Sequence, residues 1–220
     1  MFNKEASSEV RKFLGDFIIG NNPIFDFLNP ALSNTIKEYQ NQKKMNNDSK
    51  SLLDSLLFVG KNQWGISQEQ ILENMDKIAY HESKNDPSAV SPWGDMGMFQ
   101  YGKGKKQSAN IALNRLEHII GPEGALKGHK SPSWFDDFIA SNYDMSTLDP
   151  EQQKVLFMAD KLRMGDAMKG VDTPDELKDF WFEHHWSGTP GILKGESKKQ
   201  DITTIIKRLN SFSQSMQDYK

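Results

Sequence analysis

Cysteine is absent from all 220 residues, so no disulfide can staple the chain and folding in either redox state is expected. Long apolar runs are missing too. The longest, such as Leu56-Leu57-Phe58-Val59, fall far short of the roughly 20 residues a membrane-crossing helix needs, so no membrane span is expected. The N-terminus, Met1-Phe2-Asn3-Lys4-Glu5-Ala6, lacks a basic segment followed by an apolar stretch and a small-residue cleavage site, and does not read as a secretory signal. Positive charge is not in excess. The formal net charge is −3 with 26% charged residues and no basic arm, which removes nucleic acid as an expected partner. Lys103, Lys105 and Lys106 form one small cluster, read first as a solvated turn and second as a contact for an anionic surface.

Several chemistries lack their signatures. His184 and His185 are adjacent, but neighbouring helical positions point about 100° apart, and no His-Glu-x-x-His or cysteine cluster accompanies them. His81, His118 and His129 stand apart, so no metal is expected. No nucleophile-elbow sequence supports Ser-His-Asp catalysis. Gly102-Lys103-Gly104-Lys105-Lys106 lacks phosphate-loop spacing, and no cofactor is expected. Period-two alternation of useful length is also missing, leaving at most a short hairpin within 93–103.

What is present is helical punctuation. Ser67 can cap a helix with Gln70 reaching back, and Ile66 and Ile71 stand at staple positions. Asp149-Pro150-Glu151-Gln152 and Thr173-Pro174-Asp175-Glu176 open two more helices with a cap, a proline at the first position and an acid or amide at the third. Val155, Met158, Ala159 and Leu162 make one apolar stripe, and Ile202, Ile205, Ile206, Leu209 and Phe212 another. Earlier, Val10, Phe13, Leu14, Phe17 and Ile18 predict an amphipathic helix, a second helix follows Asn29-Pro30, and the polar stretch 41–50 reads as a linker. A short helix through Leu52 to Val59 ends at Gly60. The expected fold is mainly α, with a helical N-terminal extension over 1–62 and one main domain over 63–220.

The chain is organised around the stretch Ile78 to Tyr101. Ile71, Met75 and Ile78 recur at helical spacing and Glu82 takes the next position, so a carboxyl ends an apolar stripe. Partial burial raises a carboxyl pKa, as a general acid near neutral pH requires. Asn85-Asp86-Pro87 then stops the helix and Ser91-Pro92-Trp93-Gly94-Asp95 marks turns. Gly94 and Gly97 let backbone approach a bulky ligand, Trp93 offers a stacking face, and Gln100 an amide that donates and accepts.

Glu82-Ser83, Asn85-Asp86-Pro87-x-Ala89-Val90-Ser91-Pro92 and Gly94-x-x-Gly97-Met98-Phe99-Gln100 together resemble the signature of the soluble lytic transglycosylases, lysozyme-like enzymes that cleave bacterial peptidoglycan. The chain departs from the usual wording at Asp95 and at Met98-Phe99, and Trp93-Gly94-Asp95 is similar instead to the loop of goose-type lysozyme. The resemblance implies a lysozyme-like domain in which Glu82 protonates the bond between N-acetylmuramic acid and N-acetylglucosamine. Glycosidases commonly need a second carboxylate, whereas the resembled transglycosylases use the substrate's own groups and leave a 1,6-anhydro sugar. Asp95 is the candidate second acid, and if it orients water the enzyme is a hydrolase. Ser83, Ser91, Trp93, Gly97 and Met98 are expected to bind substrate, as are Gln100 and Tyr101. In the resembled family a Tyr-Asn-x-Gly element faces the substrate. The resemblance implies that His185-Trp186-Ser187-Gly188 takes its place, without the Tyr or the Asn, which adds His185 and Trp186; the competing reading of Phe180 to Gly188 is a helix end packed into the core.

The implied partner is peptidoglycan. A wall-degrading enzyme without an export signal fits a bacteriophage protein. The expected home is the virion, acting in the host periplasm, with the N-terminal helices touching other virion proteins. The alternatives are an endolysin released from the host cytoplasm through membrane holes, and a non-catalytic wall-binding or structural virion protein.

Overall fold

A computed structural model describes residues 48–104, 106–186 and 202–219. The chain divides into two compact units, Met1–Lys44 and Met45–Lys220, and every described residue belongs to the second. The helices expected before residue 45 lie outside the described residues.

The second unit is mainly α. Helix α1 covers 48–64, α2 Gln68–Ser83, α3 Ser108–Ile120, α4 Phe135–Ala140, α5 Pro150–Leu162, α6 Pro174–Phe180 and α7 Ile202–Asp218. Between α2 and α3 a hairpin pairs β1, Asp95–Met96, with antiparallel β2, Tyr101–Gly102, opposing Asp95 to Gly102 and Met96 to Tyr101. Among the described residues no helix is long and apolar enough to cross a membrane.

Local chemistry accounts for the helix starts. Ser67 Oγ accepts from the Gln70 N–H at 3.1 Å, while the Gln70 side chain turns forward to Asn74 instead of back to the cap. Asp149 with Gln152, and Thr173 with Glu176, close both bonds of a capping box, each followed by proline. Packing then decides more than the stripes do. Helix α5 is buried on almost every side, because α3 lies along it while Phe157 stacks on Phe99 from the motif loop. In α7 only part of the expected stripe is inside: Phe212 is fully buried, whereas Ile202 and Ile206 are exposed.

The compact unit that holds the described residues begins at Met45, so α1 is part of it. Leu52, Leu53, Leu56, Leu57 and Trp64 of α1 all enter the common core, and the Trp64 indole N–H donates to the Gly165 carbonyl at 2.8 Å. Cutting α1 away would expose that whole face at about 25 cal/mol per Å² of apolar surface.

Candidate active site

Helix α2 buries Ile71, Met75, Ile78 and Ala79, and the Asn74 amide donates to the Val171 carbonyl at 2.9 Å, so the helix is fixed in rotation. Glu82 therefore emerges from its last turn on the inner side. The helix stops abruptly because Lys84 and Asn85 are both left-handed (φ 60° and 63°) while their N–H groups return to the Tyr80 and Ala79 carbonyls.

The loop that follows is anchored by α5. Gln153 is fully buried. Its Oε1 accepts from the Met98 N–H at 2.7 Å, and its Nε2 lies within 3.1 Å of the Pro87, Met145 and Leu148 carbonyls. Gly97 (φ 79°) passes directly over this amide, and a Cβ there would stand 2.5 Å from Gln153 Oε1 and 2.9 Å from Met145 Cβ. The turn before it is held by Ser91, whose hydroxyl accepts from the Trp93 and Asp95 N–H groups. Ser83 ties helix to loop, its hydroxyl lying 3.0 Å from the Met98 carbonyl and 3.1 Å from that of Ala79.

The opposite wall is the π-helical turn Trp181–Trp186 that continues α6, a geometry that recurs at functional sites. It turns the Trp181 indole N–H onto Glu82 Oε1 at 2.6 Å. Trp181 is itself clamped, stacked on Phe212 of α7 (centroids 4.8 Å apart) and edge-on to His81, whose Nδ1 lies 2.9 Å from Ser215 Oγ. His185 Nε2 stands 3.0 Å from the Phe99 carbonyl, which can only accept, so this nitrogen carries the hydrogen. The same atom is 3.8 Å from Glu82 Oε1, but this is no ion pair: burial, with Lys161 near, pushes the imidazole down to about 3 and keeps it neutral.

Glu82 responds in the opposite sense. Burial drives its pKa up from 4.5 to about 7, against the Trp181 hydrogen bond and the Arg208 and Lys161 charges, with Asp95 adding to the rise. At the cleft floor lies an ionic knot. Asp160 accepts from Lys161 at 2.8 Å, from the Tyr101 hydroxyl at 3.1 Å and from Arg115. Burial alone would raise the Asp160 pKa, yet the Lys161 and Arg115 charges hold it low, while burial lowers that of Lys161.

These walls enclose a cleft of about 660 Å³. Glu82, Asp95, Ser91, Trp93 and Gln100 line it from the motif side, and Tyr101, His185 and Trp186 from the floor and far wall. Trp93 is 86% exposed at the rim, a free stacking face. Three expected contacts have other roles: Ser83, Gly97 and Met98 hold the loop in shape and do not line the cleft, because their polar groups or backbone are committed to helix, loop and Gln153. The Tyr101 hydroxyl is likewise bound to Asp160, leaving only its ring to the cleft. Gln100 is left-handed (φ 51°), and its amide donates to the Gly97 carbonyl at 2.8 Å. Lys103 of the basic cluster pairs with Asp144 at 2.8 Å. His184 stacks on Phe180 and diverges from His185, and among the described residues no three metal-ligating side chains converge.

Sequence reasoning did not single out the Trp181 contact, nor Arg115, Asp160, Lys161 and Arg208. Nothing in the sequence marks Asp160 and Lys161, which fall off the apolar stripe of α5 on faces that only packing buries. No family model matches the chain, and no curated protein or solved structure does either. The site geometry and the mainly α architecture therefore carry the functional argument.

Proposed function

We propose that this protein is a lysozyme-like lytic transglycosylase that cuts the β-1,4 bond between N-acetylmuramic acid and N-acetylglucosamine in peptidoglycan, with Glu82 as its catalytic acid. The observation that carries this reading is the state of Glu82, buried at the base of an open cleft and protonated up to about pH 7. The exposed Trp93 at the rim supplies a stacking face of the kind a sugar polymer uses.

In the reaction Glu82 gives its proton to the glycosidic oxygen as the bond to C1 of the muramic residue breaks. The neighbouring acetamido oxygen supports the charge left on C1. The C6 hydroxyl of the same sugar then attacks C1 and returns its proton to the Glu82 carboxylate. No water is consumed, and the acid is restored as the 1,6-anhydro end forms. Trp181 keeps Oε1 oriented through both proton transfers. Neutral His185 adds no positive charge of its own beside the acid.

Asp95 favours a second reading, because it lines the same cleft and acts electrostatically on Glu82. If it orients water, the enzyme is a goose-type hydrolase and the new ends are reducing. Mass spectrometry of digested wall separates the two, since anhydro products are lighter by one water. Anhydro muropeptides from wild type, an unchanged product type from Asp95→Asn and no cleavage by folded Glu82→Gln are expected. Reducing ends with activity collapsing in Asp95→Asn would leave the hydrolase. Intact wall that still pellets the protein would leave a wall-binding or structural virion protein. As to delivery, the proposal is a phage virion component acting in the host periplasm, and absence from purified particles by proteomics would favour an endolysin.

A further inference from the structure

The cleft is lined by three cations, and two of them are committed to Asp160. Lys161 is 2.8 Å from Asp160 Oδ2 and donates to the His184 carbonyl at 3.0 Å, and Arg115 pairs with Asp160 Oδ1. Arg208, reaching the cleft from α7, is the third. Its guanidinium lies over the Trp186 ring, 5.0 Å from the centroid, and among the described residues no carboxylate forms an ion pair with it. An arginine laid on an indole has one face covered while its edge N–H groups stay open. The stack thus holds the side chain in place without using its donors.

The other charges facing this point are Glu82, Asp95 and the Asp160 knot. Glu82 keeps its proton up to about pH 7, and Asp160 is already saturated by three donors. A guanidinium that lines the cleft with the acid and forms no ion pair among the described residues matches a carboxylate on the ligand, which it would bind through two parallel hydrogen bonds.

We propose that Arg208 is a specificity-determining residue that selects acidic glycan, recognising a carboxylate on the strand cleaved by Glu82. The inference rests on the proposed wall-glycan activity and narrows it, because a neutral polymer of N-acetylglucosamine offers Arg208 no partner. On a peptide-free strand the carboxylate is that of the lactyl ether of N-acetylmuramic acid. On a peptide-bearing strand that group is amidated, and the carboxylate comes from the stem peptide.

The test uses the full chain carrying Glu82→Gln, so that saccharides bind without turnover, and calorimetry with three probes. These are an N-acetylglucosamine oligomer, a peptide-free oligomer alternating N-acetylglucosamine with N-acetylmuramic acid, and its peptide-bearing counterpart. Adding Arg208→Gln should weaken at least one acidic probe about tenfold and leave the neutral one within about twofold. Arg208→Lys, which keeps the charge and loses the fork, should fall between. The acidic probe that loses affinity identifies the source of the carboxylate, and added salt should narrow the gap. Equal loss on all three probes, or loss on none, would overturn the inference while leaving the wall-glycan reading intact. Failure of the Glu82→Gln chain to bind any of the three would overturn both.

Discussion

Burial and the Asp95 charge raise the Glu82 pKa while the Trp181 hydrogen bond and the Arg208 and Lys161 charges lower it, and Trp181 is the influence that substitution can remove cleanly. Desolvation disfavours the carboxylate, whereas the indole N–H, at 2.6 Å, favours it. Trp181→Phe keeps an aromatic ring against Phe212 and deletes the donor. The acid should then hold its proton to higher pH, so the alkaline limb of the pH profile for wall cleavage should move upward. His81, Lys161, His185, Arg208 and Asp95 all remain around the carboxyl in this variant, so the shift reports the indole bond alone. A limb that stays in place while the rate falls would mean that Trp181 only shapes the wall. The inward position of Glu82 was legible in the sequence, because the stripe Ile71, Met75, Ile78 ends on it. Its partner was not: Trp181 lies 99 residues further on, and an indole that packs and an indole that donates look alike in a sequence.

The motif loop owes its shape to α5, and the contact between Gly97 and Gln153 is where that dependence is most exposed. A methyl group on Gly97 would meet Gln153 Oε1 at 2.5 Å, and Gln153 cannot move aside because its amide holds the Met98 N–H and carbonyls on both sides of the loop. Gly97→Ala should therefore cost about 2 to 4 kcal/mol, combining left-handed strain with overpacking. Gln153→Leu should cost about as much by orphaning those buried groups. Urea denaturation measures both, and a loss below about 1 kcal/mol in either variant would mean the loop is held elsewhere. Helix starts were readable because a cap is local: Ser67, Asp149 and Thr173 each act within three residues. The roles of Ser83 and Met98 were not readable, since a hydroxyl or an amide that serves a ligand and one that serves a loop have the same letter. The unit boundary shows the same limit. The polar stretch 41–50 reads as a linker, but only packing reveals that the apolar face of α1 belongs to the core that follows it.

Over the whole unit, the groups that burial has shifted give stability a definite pH dependence. His81 and His185 are pushed down from 6.5 to about 4 and about 3, so on acidification the unfolded chain takes up close to two protons that the folded one refuses. Glu82 works the other way, since between 4.5 and about 7 the folded carboxyl keeps a proton that the unfolded one has released. Two protons bound on unfolding against one lost leave about one net proton. From these three groups stability should rise with pH by about 1.4 kcal/mol per unit between roughly 4.5 and 6.5 and level off near 7. Glu82→Gln deletes the opposing proton. Its slope in the same window should be steeper by about one proton, and above pH 7 it should exceed wild type by about 3 kcal/mol, the cost of ionising the buried carboxyl. Every other titrating group contributes alike to both proteins, so the difference between their slopes belongs to Glu82. Chemical denaturation of both across that range reads it directly. Parallel curves would mean that Glu82 ionises in the folded protein as readily as in water, which would remove the acid that the proposed cleavage requires.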